Sequence, residues 1–362
     1  MKIKFLTFFL LLFICLTAVD QSLRNEIQHS IENSLKWLID QQNENGSWEQ
    51  NPAITALVVT SLLRSHPNVN ADFPPVETGL SFILSCQKPS GAIYIDNLSN
   101  YITAVCLVAL KEADNQHYEV AIKQAEKYLL QFQIDEEEGF SPDSLFYGGV
   151  GYGGDSRPDL SNLQLALEGI MYEKEDSQIE KKQKINFPEE KKLCLEKALI
   201  FINRCQNLKS HNKEEYALND GGFMYEPGKS KIGGVESYGS MTYAGLKSLL
   251  YAKVSKSDPR VKAAYEWIRQ HYTVTSTPKW DDTALFYYYH TMAKSLRAYG
   301  EDTITDANGV NHDWRSELAA QLIKIQNEEG WWQNTNGRYW ENNKALVTAY
   351  CILALQEITA QI

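Results

Sequence analysis

Cysteine and histidine are both scarce, at 6 and 7 of 362 residues. No CxxC pair and no His-rich tract occurs, which removes a zinc knuckle, and no metal or cofactor is expected. Basic residues are in deficit, 35 against 46 acidic, so a net charge of −11 argues against a nucleic-acid partner. Sustained alternation of apolar and polar residues is missing, so no strands are expected. Long apolar runs are also missing except for Phe5 to Val19, which sits behind Lys2 and Lys4. That run falls short of the roughly 20 residues that a spanning helix needs, and reads as a secretory leader, residues 1–18, cleaved after Ala18. Export to the periplasm or medium follows, and the charge then deepens to −13 with the loss of Lys2 and Lys4. Five cysteines remain: Cys86, Cys106, Cys194, Cys205 and Cys351. Cys194 and Cys205 share a predicted helix that holds them roughly 16 Å apart, too far for a disulfide.

What is present is a repeat. Helical segments end in Gln at Gln42, Gln87, Gln133, Gln206 and Gln326, with Trp267 to His271 at the fifth of six places. A Gly-bearing loop follows each of the five glutamines, at Gly46, Gly91, Gly139, Gly221 and Gly330. A second helix then carries Thr and, six residues on, Ala or Ser before Leu: Thr55, Thr103, Thr242 and Thr348. The fifth unit has Tyr289 in that place, and the third, ending Ala166-Leu167, matches loosely. The first helix of a unit is amphipathic, with Leu23, Ile27, Ile31, Leu35 and Leu38 along one face, while the second, such as Ala53 to Leu63, is apolar nearly all round. Half-wet helices alternating with fully covered ones, six of each, predict two concentric rings: an all-α, single-domain α6/α6 toroid over 19–362. A Glu- and Lys-rich stretch at about 173–192 reads as a solvated insertion. The Gly-rich segment Tyr147 to Gly154 lacks the Lys-Ser or Lys-Thr of a phosphate loop and reads as a rim over one mouth.

Gln42-x3-Gly46-x-Trp48 and Gln326-x3-Gly330-x-Trp332 resemble the QW motif of squalene-hopene and oxidosqualene cyclases, where these residues tie outer helices together. Asp281-Asp282-Thr283-Ala284 is similar to the end of their DxDDTA segment, with Lys279 where its first Asp stands. The resemblance implies an isoprenoid or other lipid partner in a central cavity and class II cyclase acid chemistry, with Asp281 as proton donor, Asp282 beside it and His290 assisting. Such chemistry needs a carboxyl kept protonated by burial and aromatic faces that stabilise carbocations. The structural alternative is that Asp281 or Asp282 caps the following helix. Tyr289-His290-Thr291 also resembles the histidine segment of protein prenyltransferase β subunits, but Tyr238 stands where their zinc-bound thiolate would be. The residue after the Thr signature is Ala56, Ala104 and Ala349 in three units, yet Tyr243 and His290 in the fourth and fifth. Tyr243, with Glu236, Tyr152, Tyr238, Trp280 and Phe286, makes up the expected ligand-binding set beside His290; interhelical packing would account for Tyr243 and His290 equally. Two other functions fit a helical toroid: glycan processing by paired carboxylates such as Asp155 with Asp159 or Glu236 with Asp281, and a noncatalytic envelope scaffold.

Overall fold

The first helix of each unit buries one stripe and wets the rest, and this decides where it can sit. In α5 (Glu119–Gln131) the buried residues are Ala121, Ala125, Tyr128 and Leu129, the i, i+4, i+7, i+8 pattern of a helix with one covered face. Its outer-ring companions in the computed structural model are α1 (Lys2–Asp40), α3 (Pro74–Ser85), α7 (Glu189–Cys205), α9 (Pro259–His271) and α11 (Trp314–Ile325). The inner helices are covered all round: in α2 (Pro52–Leu63) every residue is buried, and in α12 (Lys344–Thr359) so is each one from Ala345 to Ile358. Between them come α4 (Ser99–Glu112), α6 (Leu160–Met171), α8 (Gly239–Tyr251) and α10 (Leu285–Tyr299). Each inner helix packs on the next, and α12 returns to α2, so the inner ring closes; α11 against α1 closes the outer one. The expected all-α double ring is thus the observed architecture.

The structure describes residues 2–153, 157–174 and 189–360, with side chains from Gln21 onward. The side chains of the expected leader, Asp155, and most of the charged insertion lie outside that range. Among the described residues no helix is long and apolar enough to cross a membrane.

The repeat residues do identical work around the ring. Each Gln amide donates to the carbonyl of its own loop glycine and to a carbonyl on the next outer helix. Gln42 reaches Gly46 and Pro75, both at 2.9 Å; Gln87 reaches Gly91 at 3.2 and Ala121 at 3.0 Å; Gln206 reaches Gly221 at 3.0 and Arg260 at 2.9 Å. Gln326 crosses the closure of the ring to Ser30 at 3.0 Å. Trp48 and Trp332 donate from Nε1 to the carbonyls of Leu38 and Leu322 in the last turns of their own outer helices. Each signature threonine accepts from a loop N–H: Thr55 from Trp48 at 3.0 Å, Thr103 from Ile93 at 2.8 Å, Thr242 from Phe223 at 3.2 Å and Thr348 from Trp332 at 3.1 Å. In the fifth unit Tyr289 spans the gap from its own side, donating to the Val274 carbonyl at 2.8 Å.

Two expectations are corrected. The loop glycine of the third unit is Gly148, not Gly139: Gln133 donates to Gly148 O at 2.9 Å and to Cys194 O at 3.0 Å. A Cβ on Gly148 would lie 1.9 Å from the Lys197 carbonyl, whereas one on Gly139 would meet nothing within 4 Å. A two-stranded hairpin is also present, Thr303–Thr305 antiparallel to Asn311–Asp313. Three-residue strands are too short to show a period of two. The five cysteines are free and buried, and Cys194 and Cys205 both lie on α7.

The contrast between the two glycines gives a stability test. Both have φ near +80°, so Ala costs about 1–2 kcal/mol at either from the left-handed backbone alone. Gly148→Ala adds a clash with main chain and should lose well over that amount in urea unfolding, while Gly139→Ala should stay within it.

Candidate functional site: an aromatic cavity on the ring axis

The six inner helices start at the same end of the ring, and their first turns surround a cavity of about 370 Å³. Ala53 and Ile54 come from α2, Tyr101 and Ile102 from α4, Ser161 from α6, Ser240 and Met241 from α8, Tyr287 from α10, and Leu346 and Tyr350 from α12. Loops leading into those helices complete it with Leu98, Tyr152, Tyr225, Lys231, Tyr238, Trp280, Tyr339, Trp340 and Glu341. Eight of the ten non-glycine residues in the left-handed region lie in loops that lead into inner helices, among them Leu98, Ala284, Tyr339 and Trp340 of the lining. Sharp turns of this kind cost free energy and mark places where the chain is aimed at a particular position. Trp340 is 62% exposed and Tyr339 42%, so the mouth is open and aromatic.

Five of the wall tyrosines pair their hydroxyls within the protein and contribute their rings to the lining. Tyr101 and Tyr350 hydroxyls are 3.3 Å apart, Ser161 Oγ lies 2.9 Å from Tyr287 OH, and Tyr225 donates to Tyr152 at 3.4 Å. Ring faces carry the negative part of the quadrupole, so the cavity suits apolar or cationic groups.

One buried carboxyl faces this space. Glu341 is 1% exposed, accepts from the Tyr287 N–H at 2.8 Å through Oε1, and accepts from Asn334 Nδ2 at 2.7 Å through Oε2. Burial pushes its pKa up, the Asn334 amide and the α10 backbone N–H groups pull it back, and the balance falls at about 7. Asp159, 2% exposed behind the wall, is pushed by burial to about 6 against hydrogen bonds from Asn162, whose N–H and side-chain amide occupy its two oxygens.

The expected site residues divide. Tyr152, Tyr238 and Trp280 line the cavity. Asp281 and Asp282 do not; both are exposed, which denies them the burial a protonated acid needs. Neither caps α10: the cap position is Ala284, with no side-chain bond there, and the first-turn N–H of Tyr287 goes to Glu341. Asp282 instead accepts from Asn336 at 3.0 Å. Glu236 is exposed, 3.9 Å from Lys279. Phe286 is buried edge-on to Tyr289, and Tyr243 edge-on to Tyr288, both away from the lining. His290 is buried and stacked on Tyr350, its rings 5.0 Å apart, and cannot reach Asp281 at the surface. Burial, with Lys294 adding to it, holds His290 neutral. Among the described residues no cluster of three or more His, Cys, Asp or Glu could hold a metal.

The opposite end of the inner ring is closed by charge. Arg64 bridges Glu112 at 2.6 Å and Glu357 at 3.1 Å, Arg297 meets Glu357 at 2.7 Å, and Glu168 takes Lys247 at 2.5 Å and Lys294 as well. Burial alone would raise the Glu168 pKa, but the two ammonium groups outweigh it and hold the carboxylate ionised. Removing one member of a buried pair leaves uncompensated charge. Glu168→Gln should therefore cost about 3–5 kcal/mol of unfolding free energy, read as a drop in the urea midpoint.

No protein-family model and no curated protein matches the sequence. Solved structures do match its shape. Apo type II terpene cyclase MstE from Scytonema superposes with a TM-score of 0.59 at 12% identity, covering 93% of this chain and 100% of that one. An MstE variant in complex with geranylgeranyl dihydroxybenzoate, its substrate, gives 0.59 at 11%, covering 94% and 100%. A possible member of the GH105 family from Salmonella enterica serovar Paratyphi A gives 0.55 at 11%, covering 94% and 95%. The likeness establishes the fold, an all-helical toroid of the type II terpene cyclase kind.

Proposed function

We propose that this toroid binds an isoprenoid chain in its axial cavity and isomerises it by acid-initiated cyclisation, with Glu341 as the proton donor. The observation that carries the reading is a buried carboxyl with a pKa near 7 facing a wall of tyrosine and tryptophan rings. Protonated Glu341 would deliver its proton to a terminal alkene; the π electrons form the new C–H bond and leave a carbocation. The neighbouring alkene closes on that cation, and loss of a proton from another carbon ends the sequence with no net change in composition. Aromatic faces stabilise the passing positive charge. Asn334 and the Tyr287 N–H then accommodate the carboxylate left behind. The MstE complex with a geranylgeranyl compound supports the same substrate class. Export by the leader at 1–18 belongs to this proposal, motivated by the apolar run behind Lys2 and Lys4.

A glycan-processing reading draws on the likeness to the possible GH105 member and on Asp159 as a second raised carboxyl. The lining favours the isoprenoid, since it is mostly aromatic and aliphatic and the hydroxyls of Tyr101, Tyr350, Tyr287, Tyr225 and Tyr152 are paired within the protein.

The test is to incubate the protein with geranylgeraniol and squalene and look for cyclised isomers of unchanged mass. Glu341→Gln keeps the shape and one accepting oxygen, turns the other accepting atom into a donor, and cannot supply the acid proton; turnover should fall by about 10²-fold or more while probe affinity changes little. The wild-type rate should hold below pH 7 and decline above it, because the donor must be protonated. Binding without product at any pH would reduce the proposal to a carrier, and polysaccharide turnover lost in both Glu341→Gln and Asp159→Asn would move it to glycans.

A further inference from the structure

We infer that Tyr350 is the floor of the cavity and sets how much of an isoprenoid chain is enclosed: about three isoprene units, enough for two ring closures. The inference rests on the isoprenoid reading and adds the length of chain that reacts.

No lining residue sits farther along its inner helix than Tyr350. The others on inner helices lie among the first four residues, as Leu346 does on α12, whereas Tyr350 is one turn beyond Leu346. Its side chain spans the ring. The aromatic face stacks on His290 of α10 with centroids 5.0 Å apart, and the hydroxyl lies 3.3 Å from that of Tyr101 on α4, although α2 stands between α12 and α4. The repeat puts smaller residues in the same place: two positions after the signature threonine come Leu57, Val105 and Ala244, and in the last unit Tyr350. Beneath it the axis is filled by charge. Lys294, one turn past His290, is tied to Glu168, and Glu357, two turns past Tyr350, is tied to Arg64 and Arg297.

An isoprene unit has a van der Waals volume of about 80 Å³ and takes up about 105 Å³ at the packing density of a protein interior. The cavity of about 370 Å³ therefore encloses about three such units and not a fourth. The rest of a longer chain lies at the mouth, beside the exposed Trp340. Only alkenes packed against one another react in sequence. Of three, one takes the proton from Glu341, and each of the other two gives its π electrons to the cation before it and closes a ring. Proton loss then restores one double bond, so two rings form and two double bonds are consumed.

The test titrates full-length protein with geraniol, farnesol and geranylgeraniol, which carry two, three and four units, by the fluorescence of Trp280 and Trp340. Affinity should rise at least about tenfold from geraniol to farnesol, since an enclosed unit leaves water, and less than about threefold from farnesol to geranylgeraniol. Tyr350→Ala vacates about 100 Å³, the space of one unit, and should raise the second gain to about tenfold. Tyr350→Leu, which installs the residue of the second unit, should move it in the same direction by a smaller factor and serves if the Ala variant does not fold. Products of the wild type should be bicyclic at any length, with two double bonds left from geranylgeraniol and four from squalene; Tyr350→Ala should add a third ring to the former. Equal gains in the wild type, products with three or more rings, or a folded Tyr350→Ala protein whose second gain stays small each overturn the inference and leave the isoprenoid reading standing. If none of the three alcohols binds, the isoprenoid reading fails and the inference with it.

Discussion

The close approach of each loop glycine to the backbone of the next outer helix sets the spacing of the whole ring. A Cβ on Gly46, Gly91, Gly148 or Gly221 would fall between 1.9 and 2.5 Å from a carbonyl of α3, α5, α7 or α9. Backbone meets backbone only if that position has no side chain, and a positive φ turns its carbonyl toward the glutamine amide. The same amide then donates to the helix being approached, so one residue pair both brings two outer helices together and satisfies the polar groups that contact would bury. Gly330 repeats this against Asn33 on α1, which is how the last unit finds the first.

Closure has a second consequence. All six inner helices run the same way, so the ring has two unlike ends. Their first turns surround the aromatic cavity, and their last turns carry Arg64, Glu112, Glu168, Lys247, Lys294, Arg297 and Glu357. Arg297 lies in the last turn of α10, where the partial charge of the helix end is negative. The buried salt bridges close that end without an apolar plug, and Tyr350, backed by His290, separates them from the cavity. Among the described residues, the cavity is lined at the aromatic end of the ring. Its rim combines exposed aromatic rings with cations that rest on them.

Much of the fold was legible in the chain, because the features that build it are local and repeated six times. Gln, Gly, Trp and Thr recur at fixed spacing, and the contrast between a striped helix and an evenly apolar one follows from which neighbours each must have. The third-unit glycine was misplaced since Gly139 and Gly148 both follow Gln133; only contact with α7 distinguishes them. The candidate site was less legible. Asp281 and Asp282 looked like an acid pair by similarity of a short motif, yet their burial depends on a loop whose path the motif does not fix. Glu341 carries no local signal: it is one Glu in a polar loop, and its pKa is raised by burial in the assembled ring, against a backbone N–H 54 residues away and Asn334 across its own turn.

What the sequence determined by itself was therefore the toroid and the aromatic richness of its loops, since periodicity and composition act over a turn or two of helix. Which end of the ring is hollow, which carboxyl is buried there and which side chain crosses the axis were decided only by tertiary structure. Each depends on the distance between groups contributed by different units, and that distance exists only once α12 has closed against α2.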